Sequence, residues 1–219
     1  MRGRTLDELS AYLREDLGWR RKENKAVQSL VHGSGSLRKQ AILRGAIASL
    51  YAHWEGFVKT GCRAYLEFVT IRKLRNCELS IPLLGLALKR TLKSVAGSDR
   101  LDSHLEFSAW LLREWDRRAR LPSPEDIIQT SNLDSRVFKS YMLGLGLRYL
   151  PEFEIAEKPV IDALVQVRNN LAHGEWQIVS ETAYDEWIVW IDRLMELVCQ
   201  EIENAASCSS YRRALTQLA

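Results

Sequence analysis

Apolar residues recur every three or four positions along most of the chain, the spacing of one face of an α-helix. The clearest run extends from about Leu37 to Lys73 and predicts one long amphipathic helix. Its large apolar residues are Ile47, Leu50, Tyr51, Trp54, Phe57, Val58, Cys62, Tyr65, Leu66 and Val69. We expect this stripe to lie in the core or at a dimer interface. Strand-like alternation is nearly absent, so the pattern predicts an all-α fold.

Capping and breaking residues divide the rest of the chain into further helices. A capping-box pattern at Thr5 and Glu8 opens the first helix, and the Gly- and Ser-rich stretch 32–36 ends it. Pro159 is expected to open a later helix, and Thr182 to cap the last one. The elements predicted in between are Ser80 to about Val95, Leu101 to about Arg120, and Asp134 to Leu145.

Length and composition are those of an ordinary soluble protein. The 219 residues, of which 46% are hydrophobic and 27% charged, can bury a substantial core. We predict one helical domain over residues 1–206 and a C-terminal tail, residues 207–219, that frays. No apolar run approaches the roughly 20 residues that span a bilayer, and the N-terminus lacks the apolar segment of a secretory signal. A cytoplasmic protein without a membrane partner is therefore expected.

The sequence offers no pattern that predicts a metal or a cofactor. The four cysteines are scattered, without a C-x-x-C pair and without a His at ligand spacing. This distribution argues against a zinc site and for reduced thiols. The sequence also contains no Gly-rich phosphate loop, nucleophile elbow or acidic metal cluster.

The stretch Arg168-Asn169-Asn170-Leu171-Ala172-His173-Gly174 closes an apolar helical run and carries the best candidate chemistry. A guanidinium can hold a phosphate and an imidazole can transfer protons near neutral pH, so the two together could cut RNA without a metal. A strict α-helix would place Arg168 and His173 about 140° apart on its surface. The helix must therefore end or distort if they are to converge. Gly174 is well placed to turn the chain there.

This stretch resembles the signature of the HEPN superfamily, an Arg followed four to six residues later by His, with a polar residue directly after the Arg. Asn169 occupies the polar position, and Ala172-His173-Gly174 gives the His-Gly ending common in prokaryotic members. Residues 43–59 are similar to the long second helix of the branch related to RiboL-PSP-HEPN domains. Residues 131–133 and 143–147 are similar to another stretch of that branch. The similarity extends from about residue 37 to residue 197.

The resemblance implies an all-α bundle of the HEPN type, with additional helices inserted between the long second helix and the motif helix. It also implies a metal-independent endoribonuclease of bacterial toxin–antitoxin or antiviral defence. Arg168 would stabilise the scissile phosphate, and His173 would act as general acid or base on the 2′-hydroxyl and the leaving oxygen. Asn169 could orient either residue, and Glu55 is a candidate acceptor for Arg168.

The expected partners follow from the same resemblance. RNA is the expected substrate, and an antitoxin or another regulatory protein is an expected partner. Similar family members pair through the helices that bear the motif, so a homodimer with two neighbouring sites is expected.

Each site residue also has a plainer interpretation. His173 could cap a helix, Arg168 could be a surface or ion-pairing residue, and Glu55 could form a structural ion pair or stay exposed. The alternative function is a HEPN-like module that binds RNA, a nucleotide or a partner protein without cutting. Arg168 and His173 facing one open cleft would favour the nuclease.

Charge is unevenly distributed, although the formal net charge is only +3. Residues 59–93 contain eight basic and two acidic residues, whereas residues 152–203 contain twelve acidic and three basic ones. Two helical faces of opposite sign could pack against each other. Alternatively, RNA bound at the motif would need phosphate attraction from basic surface elsewhere.

Overall fold

The computed structural model of the chain describes residues 4–95, 100–128, 132–175 and 178–213. A 3-10 turn, Asn76–Glu78, follows the second helix, and a π-helical segment, Glu157–Asp162, joins the seventh to the eighth. These ranges contain no strand, only two isolated bridges. The all-α prediction is confirmed. The helices are α1 (Leu6–His32), α2 (Ser36–Ile71), α3 (Ile81–Val95), α4 (Leu101–Glu114), α5 (Pro124–Ile127), α6 (Ser135–Gly144), α7 (Pro151–Ala156), α8 (Ala163–Ala172) and α9 (Glu181–Ser207).

The long helix α2 is the centre of the bundle, in contact with α1, α5, α6, α8 and α9. Because neighbours cover it on several sides, its apolar stripe is the core of a single chain. No second protomer is needed to bury that stripe. The residues concerned, all at most 2% exposed, include Leu43, Ile47, Leu50, Tyr51, Trp54, Phe57, Val58, Cys62, Tyr65, Leu66 and Val69.

A glycine allows α9 to approach α2 closely. A Cβ atom built on Gly61 would lie only 2.9 Å from Cδ1 of Ile202 and 3.5 Å from Cδ2 of Leu13. A larger residue would therefore have to displace the Ile202 side chain of α9, while the approach to Leu13 of α1 would remain an ordinary contact. Gly61 thus lets α1, α2 and α9 meet in one core layer.

Ion pairs hold α1 against α9. Arg14 pairs with Glu196 and Glu203, and Arg21 pairs with Glu196 and Asp192. Helical faces of opposite charge therefore do pack together, but the basic face belongs to α1 and not to residues 59–93. Within the described ranges, no ion pair joins the basic segment 59–93 to the acidic segment 152–203.

Two helix ends differ from the sequence prediction. Helix α4 ends at Glu114 instead of near Arg120, because the backbone of residues 115–119 hydrogen bonds to residues 74–77. Helix α9 is capped by Ser180 and not by Thr182: the Ser180 hydroxyl accepts a hydrogen bond from the Ala183 N–H. The end of α4 is thus set by hydrogen bonds to a segment distant in sequence, and the start of α9 by a cap two residues earlier than predicted.

The segment after α9 packs against the bundle as far as it is described. Tyr211 is only 5% exposed, and its carbonyl accepts a hydrogen bond of 2.9 Å from the Ser80 N–H. Residues 208–213 therefore do not match the expected fraying, and residues 214–219 lie outside the described part. Among the described helices, none combines the length and the apolar character needed to cross a membrane.

We expect Leu13→Ala to lower the free energy of unfolding by about 2–5 kcal/mol, because a fully buried leucine leaves a cavity. Leu112→Ala is the matched control: this leucine is 80% exposed, so its loss should cost less than about 0.5 kcal/mol. Urea denaturation followed by far-UV circular dichroism measures both. Comparable losses would contradict the assignment of Leu13 to the core and Leu112 to the surface.

Candidate functional site

The helix that carries the motif begins at Pro151 and continues through the π-helical segment into α8. Pro159 was predicted to open this helix, but it lies inside the π-helical segment. Proline has no N–H and its ring clashes with the carbonyl four residues earlier in a regular helix, so the chain widens here. The Pro159 carbonyl accepts a hydrogen bond of 3.0 Å from the Trp187 indole, which ties the distorted turn to α9.

Asp162, the last residue of the π-helical segment, anchors the start of α6. Its carboxylate accepts hydrogen bonds from the N–H (2.9 Å) and hydroxyl (3.1 Å) of Ser135 and from Nζ of Lys158 (2.6 Å). Partial burial opposes ionisation, but these hydrogen bonds hold the pKa of Asp162 below its usual value. The carboxylate thus fixes the segment that leads into α6 against the motif helix.

Arg168 is half-buried and sits in a cluster of polar side chains. Its Nη1 donates to Oδ1 of Asn169 (2.9 Å) and to Oδ1 of Asn132 (3.0 Å). Nδ2 of Asn132 donates in turn to Oδ1 of Asn169 (3.1 Å), so both amides are oriented. The guanidinium carbon lies 4.7 Å from the centroid of the Tyr51 ring. We call Tyr51, Asn132, Arg168 and Asn169 the Arg168 cluster.

Tyr51 connects this cluster to the chain segment before α6. Its hydroxyl accepts a hydrogen bond of 2.8 Å from the Leu133 N–H. Burial raises the pKa of Tyr51 to about 12; the Glu55 carboxylate adds to this rise, while the Leu133 N–H and Arg168 oppose it. Tyr51 therefore stays neutral over the physiological range and serves as a structural support beneath the guanidinium.

Glu55 makes no contact with Arg168 within the described residues. Its Oε1 accepts a hydrogen bond of 2.9 Å from Nζ of Lys59, one turn further along α2, and it also interacts with the Tyr51 hydroxyl. Glu55 thus reaches Arg168 only through Tyr51. The direct acceptors of Arg168 are amide oxygens.

His173 lies at the end of α8 and is exposed. Its backbone N–H donates to the Asn169 carbonyl at 3.0 Å. Gly174 has a φ of +75°, and the N–H groups of Gly174 and Glu175 hydrogen bond to carbonyls of the last turn. This arrangement is a Schellman motif, and it confirms that Gly174 turns the chain. Among the described residues, the imidazole has no hydrogen-bond, ion-pair or ring partner.

The structure does not bring the His173 imidazole into contact with the Arg168 cluster. Arg168 packs inward against α2, whereas His173 follows the last helical residue, with φ −85° and ψ 4°. The His173 N–H still bonds to the carbonyl four residues earlier, so its Cβ stays near the position that the helix imposes, and only the chain after His173 changes direction. The imidazole is accessible from solvent, as a group that acts on a bound substrate must be.

An open groove of about 470 Å³ runs beside Asn169 and Asn170. Arg136 and Lys158 line it with side chains that are 89% and 82% exposed, and each pairs with an aspartate of the same groove, Arg136 with Asp134 at 3.8 Å and Lys158 with Asp162 at 2.6 Å. The surroundings of the motif are therefore less acidic than the composition of residues 152–203 indicates. The other lining residues are Asp134, Ser135, Asp162, Val165 and Gln166.

Neither Asn132 nor Tyr51 was predicted as a site residue, although both lie in the stretches that resemble the family. Asn132 is a polar residue between two helices, a position that often carries function. Its hydrogen bond to Arg168 joins residues 36 positions apart, and such a pairing cannot be inferred from one sequence.

The described residues contain no group of three or more His, Cys, Asp or Glu side chains arranged to hold a metal ion. The four cysteines are free thiols. Burial raises the pKa of Cys62 and of Cys199 to about 12, so these two are unreactive near neutral pH.

Comparison with known proteins identifies the family. A family model described as MAE_28990-like HEPN matches residues 9–211, nearly the whole chain. The match begins within α1, well before the stretch in which the sequence itself resembles HEPN proteins. No curated protein and no solved structure matches the chain significantly.

We expect Tyr51→Phe to lower the free energy of unfolding by about 1–3 kcal/mol, because it leaves the buried N–H of Leu133 without its acceptor. Tyr65→Phe is the matched control, since that buried hydroxyl has no hydrogen-bond partner among the described residues. The free energy of unfolding of Tyr65→Phe should stay the same or rise, because the variant removes a buried hydroxyl without a partner. Equal losses in urea denaturation would refute the anchoring role of the Tyr51 hydroxyl.

Proposed function

The chain belongs to the MAE_28990-like HEPN family, and we propose that it is a metal-independent endoribonuclease acting on single-stranded or loop RNA. Family membership supports a nuclease or RNA-related role in general. The finer assignment rests on one observation: a guanidinium held by two oriented amides, with an unpartnered imidazole at the end of the same helix.

Arg168 retains donors for a phosphate. Its Nη1 is engaged by Asn132 and Asn169, but Nε and Nη2 make no hydrogen bond with the described residues. Three N–H groups therefore remain to bind phosphate oxygens, and the amides and the Tyr51 ring hold the guanidinium plane in place. A guanidinium fixed before the substrate arrives can stabilise the charge that develops on phosphorus.

His173 supplies the proton transfers in this mechanism. The 2′-oxygen attacks phosphorus, a base takes the 2′-hydroxyl proton, and the bond from phosphorus to the 5′-oxygen breaks as that oxygen is protonated. The products are a 2′,3′-cyclic phosphate and a 5′-hydroxyl. The exposed imidazole can act as the general base or as the general acid. Arg136 and Lys158 line the neighbouring groove and would add phosphate attraction once a phosphate displaces their pairing with Asp134 and Asp162.

We further propose a homodimer whose two motif helices lie close together, so that two sites share one cleft. The stripe on α2 does not support this, because it is buried within one chain. The supporting observation is apolar surface near the motif helix: Ile155 on α7 is 61% exposed and Leu143 on α6 is 50% exposed. An isologous two-fold contact would cover both.

The biological setting follows from the resemblance described above. We propose a cytoplasmic role in bacterial toxin–antitoxin or antiviral defence, with an antitoxin or other regulatory protein restraining the nuclease.

One observation favours a second candidate, a HEPN-like module that binds RNA, a nucleotide or a protein without cutting it. Within the described part of one chain, the imidazole of His173 makes no contact with the side chains of the Arg168 cluster. Measuring RNA cleavage by the purified protein separates the two candidates.

We expect the wild-type protein to cleave RNA in the presence of a chelator. His173→Ala and Arg168→Ala should each lower the rate at least about 100-fold, the usual range for a group that acts in proton transfer or charge stabilisation. His104→Ala and Arg90→Ala, which alter exposed residues of α4 and α3, are the matched controls and should keep the wild-type rate. Gel analysis of a labelled oligonucleotide gives the rates, and circular dichroism checks that each variant is folded.

The substrate provides a second control. DNA and 2′-O-methylated RNA should both resist cleavage, because neither offers a 2′-hydroxyl. DNA cleavage at a comparable rate would exclude the 2′-oxygen mechanism, and loss of activity with the chelator would indicate a metal mechanism. Equal rates for the wild type and His173→Ala would refute the catalytic role of His173.

We expect a solution mass about twice the 25.2 kDa of one chain, measured by light scattering. Ile155→Glu should produce monomers, because it places a charge in the proposed contact beside the motif helix. Leu112→Glu, at an exposed leucine of α4, is the control and should leave the dimer intact. Monomers from Leu112→Glu alone would locate the interface on α4 instead. A monomeric wild type with full activity would remove the shared cleft.

A further inference from the structure

Helix α4 carries large apolar residues on two opposite faces. It packs mainly on α3, and its half-buried side includes Phe107 and Trp110, whose rings stack with centroids 6.1 Å apart. On the other side, Leu101, Leu105 and Leu112 are 72%, 61% and 80% exposed. The described part of one chain therefore covers only the first of these faces. Clustered apolar residues left in water commonly mark a contact surface.

The exposed leucines form a single stripe. With Ser108 they stand at positions i, i+4, i+7 and i+11, which is the spacing of the contact seam of a coiled coil. At about 100° per residue, the four positions fall within about 60° of one another on the helix surface. The stripe extends along nearly the whole helix, over about 20 Å, so it suits another helix of similar length. We call Leu101, Leu105, Ser108 and Leu112 the α4 stripe.

Charged residues beside the α4 stripe make the helix complementary to itself. Asp102 and Arg113 lie on the same flank, one at each end, and both are exposed and form no ion pair within the described residues. When two copies of α4 pair antiparallel, Asp102 of each comes within about 3 Å of the level of Arg113 in the other. A parallel pair would instead place like charges opposite each other. Glu106 lies about 130° from the stripe and points away from the contact.

We propose that α4 is a self-association surface, on which the α4 stripes of two chains pair antiparallel about a two-fold axis between Leu105 and Ser108. Leu101 of each chain then packs against Leu112 of the other, in an isologous contact. A helix about 20 Å long and about 10 Å wide covers far less than the roughly 1,200 Å² of a stable interface. The association is therefore weak, with a dissociation constant on the order of 100 µM.

This contact is separate from the homodimer proposed above. Helix α4 contributes no residue to the Arg168 cluster, to the groove beside Asn169 or to the surface around Ile155. Failure of the nuclease assignment or of the dimer at the motif helix therefore leaves the α4 contact intact. Where the motif-helix dimer forms as well, the α4 contact joins one dimer to the next at high local concentration.

Sedimentation equilibrium of the full-length protein from about 10 µM to 1 mM tests the proposal. The average mass should rise at least about 1.5-fold above its dilute value, whether that value is the mass of one chain or of two. Leu105→Glu places a charge at the centre of the stripe and should hold the mass at the dilute value. Leu30→Glu is the matched control: this leucine of α1 is 62% exposed, and the variant should associate like the wild type.

Charge reversal tests the pairing of the flanks. Asp102→Arg and Arg113→Asp should each weaken the association at least about 5-fold, because each turns two symmetry-related attractions into repulsions. The double variant D102R/R113D exchanges the two charges and should restore the association to within about 2-fold of the wild type. Since both residues are exposed, circular dichroism should show all three variants folded.

Oxidative cross-linking gives the direction of the helices independently, in a background with Cys77→Ser and Cys208→Ser. An antiparallel pair brings position 101 of one chain beside position 112 of the other, and separates like positions by roughly 16 Å along the axis. A mixture of Leu101→Cys and Leu112→Cys should therefore form disulfide-linked dimers on a non-reducing gel. Neither variant alone should do so, because the sulfurs would be too far apart.

Three results would overturn the proposal. The first is a mass that stays at its dilute value up to about 1 mM. The second is association that survives Leu105→Glu but disappears in Ile155→Glu, since it would then belong to the surface beside the motif helix. The third is cross-linking of Leu101→Cys with itself, because the two helices would then be parallel.

Discussion

The structure depends on the burial of α2 from several sides. A long apolar stripe must be covered by neighbours, and here α1, α5, α6, α8 and α9 cover it. The same helix supports the Arg168 cluster, because Tyr51 lies beneath the Arg168 guanidinium. Since Tyr51 is buried in a helix packed on five others, its backbone cannot shift without disturbing the core. The cost of moving α2 is what keeps the Arg168 cluster in place in the absence of substrate.

The segment just before α6 connects α2 to the motif helix. Asn132 and Leu133 hydrogen bond to Arg168 and Tyr51, and Asp162 fixes the segment by anchoring Ser135. The inserted helices thus contribute directly to the site, even though α4 has no buried residue.

Periodicity predicted the elements well because burial of an apolar face decides where a long helix forms, and α1, α2 and α9 are long. Gly174 was predictable for a similarly local reason, since only a residue tolerant of positive φ completes the turn after α8. Pro159 was misjudged because its steric clash can be absorbed by a widened turn, which the Trp187 hydrogen bond then stabilises. Asn132 could not be assigned, because its role depends on a contact made only after α6 has packed on the motif helix. In each failure, a tertiary contact outweighed a local preference.

The separation of His173 from the Arg168 cluster constrains any nuclease mechanism for this chain. If the two groups were hydrogen bonded to each other, that bond would have to break before either could act on a substrate. Here the three remaining donors of Arg168 and both ring nitrogens of His173 have no partner among the described residues. A phosphodiester is long enough to be held by the guanidinium through its non-bridging oxygens while its 2′- or 5′-oxygen reaches an imidazole beyond the end of α8. In the proposed mechanism, the substrate itself therefore bridges the half-buried guanidinium and the exposed imidazole.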